Sequence, residues 1–136
     1  MPRGPLIPEL VPFVSVARGA VVATTRRDGS LVTSATWYLW EPDGTVLLNM
    51  ATNGPRERNL RGNPQLALTV LGDSYYDHVS LSGRVVAFRH DPEMADADRL
   101  SQHYWGRPYP ERGIDCTTVI MGVDRWHAFG SPGAAR

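Results

Sequence analysis

The chain has 136 residues, 42% of them apolar and 21% charged, which fits one globular domain over residues 1–136 that buries roughly two-thirds of its unfolded surface. Fourteen acids balance fourteen bases, every base is Arg, and Cys116 is the lone cysteine. These counts exclude a Lys Schiff base, an intramolecular disulfide, Cys-x-x-Cys redox chemistry and a cysteine-rich zinc site; four scattered His argue against a metal centre, and zero net charge gives no global field for nucleic acid or anionic lipid.

No apolar run approaches the length of a membrane span, and Met1-Pro2-Arg3-Gly4-Pro5 lacks the apolar core of an export signal, so a cytoplasmic protein is expected. From Pro5 to Ala17 the helical spacing of Leu6, Leu10, Phe13 and Val14 predicts a short amphipathic helix, with Pro12 a potential break and Gly19 a stop. Residues Gly19 to Thr25 are rich in β-branched side chains and lead into Asp28-Gly29, a two-residue hairpin signal. A second strand is predicted from Leu31 to Trp40, a turn at Glu41-Pro42-Asp43-Gly44 and a third strand from Thr45 to Met50. Pro55 starts a short basic helix that Gly62 ends. Strands follow at Leu66–Leu71 and Val79–Phe88, with Gly83 marking a bulge or a close backbone approach. Asp91-Pro92-Glu93 caps a helix carried by Met94, Ala97, Leu100 and Tyr104, and two strands, Thr117–Val123 and Arg125–Phe129, close the chain around a turn near Gly122–Asp124. Six or seven short strands with two or three helices suggest a mainly β (α+β) domain, a small antiparallel barrel whose closure removes sheet edges.

Charge is concentrated at Arg56, Arg58 and Arg61, next to Asn59 and after Thr52 and Asn53. With a helix N-terminus near Gly54–Arg56, free backbone N–H groups and an Arg would converge as they do around a phosphate; the plain alternative is a solvated helix face paired with Glu57. The second strand mixes small hydroxyl residues with Trp37 and Tyr38 on both faces, so it suits either a flat heteroaromatic ring or a barrel wall with one wet side. His78 beside Asp77 reads as a solvent-facing pair, since no Gly-x-Ser-x-Gly elbow accompanies Ser80 or Ser82. Neither Gly-x-Gly-x-x-Gly nor a Walker-type loop is present.

The run Met50-Ala51-Thr52-Asn53-Gly54-Pro55-Arg56-Glu57-Arg58-Asn59-Leu60-Arg61-Gly62-Asn63-Pro64 resembles the phosphate-binding signature of pyridoxamine 5′-phosphate oxidase-like split barrels. It is most similar to the Arg-Lys-x-Arg-Asn-Leu-Arg form of the branch that uses the deazaflavin coenzyme F420. The order of elements from about residue 8 to 130 agrees with that family. The resemblance implies a six-stranded antiparallel split β-barrel forming a homodimer, with cofactor sites at the interface. It puts Arg56 at the phosphate, Ala51 and Thr52 beside the cofactor, and Asn59 in the Arg-Asn-Leu form. Thr33, Ser34, Ala35, Thr36, Trp37 and Tyr38 fall on the strand that lines ring and ribityl chain. His78 matches a position that reaches the cofactor from the other subunit, and Trp126 or Phe129 a late aromatic wall. Pro55 replaces an Arg of the oxidase signature, and its Arg-x-Val-Leu-Leu-Lys strand and late Arg-x-His motif are missing, which points away from pyridoxamine phosphate oxidation.

The activity implied is F420H2-dependent reduction of a small unsaturated or electrophilic molecule, a reaction that needs no conspicuous catalytic dyad. His78, His127 and Tyr38 are the candidate proton sources. An FMN-dependent oxidoreductase in the same pocket, and a non-catalytic flavin-, deazaflavin- or haem-binding protein, are the alternatives.

Overall fold

The computed structural model describes residues 2–130 together with Pro132; Met1, Ser131 and residues 133–136 of the expected domain lie outside the described residues. Seven strands form one antiparallel sheet: β1 (Ala20–Thr25), β2 (Leu31–Thr36), β3 (Leu39–Trp40), β4 (Val46–Ala51), β5 (Gln65–Leu71), β6 (His78–Asp91) and β7 (Cys116–Phe129). Their spatial order is β2-β1-β5-β6-β7-β4-β3. The two edges of the sheet, β2 and β3, are separated in the chain only by Trp37 and Tyr38. The sheet must therefore curl until its edges meet, which is the barrel expected from the sequence.

Seven strands rather than six result because the predicted Leu31–Trp40 strand is broken. Tyr38 turns inward, is 1% exposed and donates its phenol to the Val14 carbonyl at 2.6 Å. A side chain pinned inside the barrel takes Trp37 and Tyr38 out of ladder pairing, so β2 pairs with β1 and β3 with β4. The reverse correction applies at the end of the chain, where the two predicted strands are one. β7 runs from Cys116 to Phe129 without a turn: Asp124 takes up the register shift against β6 at Ser82/Gly83, and Val86 of β6 takes up the one at Val85/Ala87. At Gly83 a Cβ would come within 1.7 Å of the Gly122 carbonyl oxygen, so the close backbone approach expected there is real and only glycine permits it.

Inside the barrel Val22, Val46, Leu48, Leu68, Val70, Val79, Leu81, Val119 and Met121 are essentially inaccessible. Phe13 and Val14 close one end. They belong to α1 (Val11–Ser15), which a 3-10 turn at Pro8–Leu10 precedes; Pro12 lies in its first turn, where the missing N–H costs nothing, so it starts the helix instead of breaking it. α2 (Pro55–Gly62) is the predicted basic helix. α3 (Ala95–Trp105) begins later than predicted because β6 continues to Asp91 and Met94 adopts φ +60°. Asp91 still caps it: its carboxylate accepts the N–H groups of Asp96 and Ala97 at 3.1–3.2 Å from the end of the neighbouring strand. Among the described residues no helix is long and apolar enough to cross a membrane.

Candidate functional site

β3 pairs with only Val46 and Leu47, so the rest of β4 has no strand on that side, and β2 has none on the side away from β1. A cavity of about 710 Å³ lies along this split. Ala20, Val21, Ala35 and Thr36 wall it from β1 and β2, and Asn49, Met50 and Ala51 from β4. Met94, just ahead of α3, and Ala97 and Leu100 of that helix cover the opposite side, with Ile114 and Cys116 beside them. Trp37, Trp105 and Tyr109 add aromatic rings to the lining. Trp37 stacks on Tyr104 (ring centroids 5.0 Å apart, planes 12° apart) and meets Trp105 edge to face at 4.6 Å, so its indole is held rigidly.

Arg56 enters this largely apolar space from the first turn of α2. Its Nη1 donates to Thr36 Oγ1 at 3.1 Å, and burial pulls its pKa below the usual arginine value without discharging it. Among the described residues no carboxylate pairs with it. The helix that carries it is tightly placed. A Cβ on Gly54 would sit 3.0 Å from the Ala51 carbonyl oxygen, Asn59 Nδ2 donates to Thr24 Oγ1 at 3.2 Å, and Leu60 is 1% exposed. Glu57 is buried and accepts the Asn53 N–H at 2.8 Å; burial raises its pKa, but hydrogen bonds from Thr117, Asn53 and Arg61 outweigh this and hold it low.

The other face of α2 borders a broad groove of about 1180 Å³ lined by Arg26, Arg27, Arg58 and Arg61, with Thr52, Asn59 and His90. The three arginines of the helix thus part company. Arg56 serves the cavity, while Arg61 pairs with Glu57 at 3.6 Å and lies over the Phe88 ring, 3.8 Å from its centroid. The solvated-face reading fits Arg58 and Arg61, which border the groove, whereas Arg56 is turned into the cavity.

Of the residues singled out from the sequence, Ala35, Thr36, Trp37, Ala51 and Arg56 line the cavity, and Thr52 and Asn59 line the groove. Thr33 and Ser34 lie exposed farther along edge strand β2, and Tyr38 faces the barrel core. His78 lies elsewhere, with Nδ1 2.9 Å from the Tyr75 carbonyl oxygen and its ring stacked on Phe129 at 5.7 Å. Trp126 packs against the barrel core and Phe129 is exposed. The sequence reading missed the α3 wall, Trp105, Tyr109 and Asn49. The stripe Met94, Ala97, Leu100 was visible, but helical apolar spacing does not distinguish a core contact from a cavity wall.

The cavity has few titratable groups besides Arg56. Burial, then Asp91 and Asp115, raise the Cys116 thiol, which therefore stays protonated. Tyr104 Oη donates to the Arg18 carbonyl at 2.8 Å and burial raises its pKa, so neither it nor Tyr38 has a free hydroxyl proton. No described residue pairs with the hydroxyl of Tyr109.

The profile of the family described as Pyridoxamine 5'-phosphate oxidase matches residues 6–127, and the chain belongs to that family. No curated protein matches the sequence. Among solved structures, the chain is similar to a protein named F420 reductase (22% identity, TM-score 0.79, covering 93% of this chain and 98% of that one). It is also similar to a conserved hypothetical protein from Mycobacterium tuberculosis (22%, 0.71, 93% and 86%) and to HupZ of Group A Streptococcus (18%, 0.68, 93% and 95%). At these identities the likeness is one of fold.

Proposed function

We propose that this chain is an oxidoreductase that uses the reduced deazaflavin coenzyme F420 to reduce a small unsaturated or electrophilic molecule. The observation that carries the proposal is Arg56: a half-buried guanidinium, fixed by Thr36 and without a carboxylate, on the wall of an apolar cavity open enough for a flat ring. A partly desolvated cation without a counter-ion is stabilised when a ligand supplies the negative charge, and a phosphate does so. The donor set fits: Arg56 and Thr36 at the phosphate, Ala35, Trp37 and Ala51 along the ring, Thr52 and Asn59 on the outer side of the same helix.

When bound, the reduced coenzyme supplies a hydride. The chain's own part is to position and to exclude water. Trp37, braced by Tyr104, and the side chains of Met94, Ala97 and Leu100 form a dry wall that aligns donor and acceptor, where the gain from orientation is largest. Tyr109 carries the cavity's unengaged hydroxyl and delivers a proton to the product where one is needed, in exchange with water. Tyr75, Tyr76 and Phe129 are 70%, 59% and 51% exposed, and this aromatic surface supports a homodimer in which His78 reaches the site of the second copy. The single buried thiol suits a reducing compartment, and the cytoplasm is the proposed location.

FMN in the same cavity is the second reading, favoured by the name of the family. Fluorescence titration of the wild-type protein with F420 and with FMN, followed by turnover with reduced coenzyme and a panel of enones and quinones, tests the proposal. Binding of FMN alone would replace F420, and binding without turnover would leave a carrier.

A further inference from the structure

Asn49 stands out in β4, a polar residue in the run Val46-Leu47-Leu48-Asn49-Met50, and it lines the cavity. Its side-chain amide touches two groups, Asp91 Oδ2 and Thr118 Oγ1, each at 3.1 Å. Hydrogen-bond chemistry fixes which end of the amide faces them. Asp91 is a carboxylate and only accepts. Thr118 has one hydroxyl proton, already given to Asp96 Oδ2 at 2.7 Å, and Asp96 is itself held as a carboxylate by Arg89 at 2.8 Å. Both neighbours of Asn49 are therefore acceptors, so the NH2 group must face them, with both of its protons engaged. The opposite orientation would set Oδ1 against the Asp91 carboxylate.

The carbonyl end consequently points away from this network. No described residue donates to Asn49 Oδ1. Among the described residues, Ser101 Oγ is the one fully buried side-chain polar atom without a partner, so Oδ1 is open, and the open space beside Asn49 is the cavity. The network also locks the amide in place: Asp91 is tied to α3 through the Asp96 and Ala97 N–H groups, and Thr118 is on the adjacent strand β7. A rotation of Asn49 would leave a buried carboxylate and a buried hydroxyl short of a donor.

We infer that Asn49 Oδ1 is a preset hydrogen-bond acceptor that selects a planar heterocycle bearing a ring N–H, the imide N–H of a flavin or deazaflavin ring. This rests on the cofactor reading above and adds to it the residue that recognises the ring rather than the phosphate. An acceptor that cannot rotate into a donor admits N–H and rejects a lone pair or an N-alkyl group at that position.

The test compares FMN with N3-methyl-FMN, and the 8-hydroxy-5-deazaflavin ring with its N3-methyl derivative, by equilibrium titration of the wild-type protein, Asn49→Ser and Asn49→Leu. Serine keeps a donor toward Asp91, withdraws the amide carbonyl from the ring and frees room for the methyl group; leucine keeps the volume without either function. Circular dichroism and thermal melting report whether each variant is folded. The expected result is at least tenfold weaker binding of the methylated ring by the wild type, falling to within about twofold in a folded Asn49 variant. Equal binding of parent and methylated ring by the wild type, or an unchanged preference in a folded variant, overturns the assignment while leaving the cofactor reading intact. Failure of the wild type to bind any of the four overturns both. If neither variant folds, the wild-type preference decides.

Discussion

Arg56 and Thr36 join the two sides of the barrel's split: Arg56 Nη1 donates to Thr36 Oγ1 at 3.1 Å, while the same hydroxyl donates to the Trp37 carbonyl at 2.9 Å. Thr36 thus has its proton turned toward the backbone and its lone pair toward the guanidinium. One hydroxyl fixes the cation on the cavity wall and caps the end of β2 where the chain leaves the ladder.

Arg56→Ala is expected to weaken binding of a phosphate-bearing cofactor by roughly 1.5–3 kcal/mol, the range of a charge-assisted contact, with little change in thermal stability because Arg56 has no carboxylate to strand. Calorimetric titration against F420 and FMN checks this. An unaltered dissociation constant would take the phosphate out of the account.

The acid side of the stability profile follows from Asp96 and Glu57. Burial raises the Asp96 pKa, but hydrogen bonds from Arg89 and Thr118 outweigh it, and Glu57 is lowered in the same way by Thr117, Asn53 and Arg61. A carboxyl whose folded pKa is depressed stabilises the fold above its unfolded pKa, and that stability disappears as pH falls through the folded value. Thermal melts should be flat from neutrality down to the ordinary carboxylate range and drop below it. Asp96→Asn should melt lower at neutral pH and flatten that drop; an unchanged acid slope would remove Asp96 from the linkage.

His78→Ala and His127→Ala should each retain turnover within about tenfold, since neither side chain lines its own chain's cavity. Tyr109→Phe should show the larger fall in kcat with an unchanged cofactor affinity, toward the lower end of the roughly 10²–10⁴ that a general acid contributes. Steady-state kinetics with saturating reduced coenzyme separates the three. A thousandfold loss at either His would make it the proton donor.

Light scattering at micromolar concentration is expected to give a homodimer, and Tyr76→Glu with Phe129→Glu to give a monomer, because the exposed Tyr75, Tyr76 and Phe129 form a continuous aromatic surface. A wild-type monomer that binds cofactor at full strength would contradict this.

The barrel was legible because alternation, turn residues and Gly83 act locally: each strand except the broken one and the fused β7 lies within a few residues of its predicted bounds. The break at Trp37–Tyr38 was not legible, since it arises from a hydrogen bond between Tyr38 and Val14, 24 residues away. The fused strand β7 was misread because Gly122 and Asp124 mimic a turn, although here Asp124 absorbs a register shift. At the site, the motif around Arg56 identified one wall. The other wall depends on how α3 folds back over β4, and Asn49 gave only one weak signal, a polar residue in an apolar strand.

Titration of the wild-type protein with F420, with FMN as the paired ligand, decides whether Arg56 holds a deazaflavin in this cavity. Saturable binding of F420 is expected, one per chain, at least tenfold tighter than FMN and weakened in Arg56→Ala. Absence of F420 binding, or F420 affinity indifferent to Arg56, would contradict it.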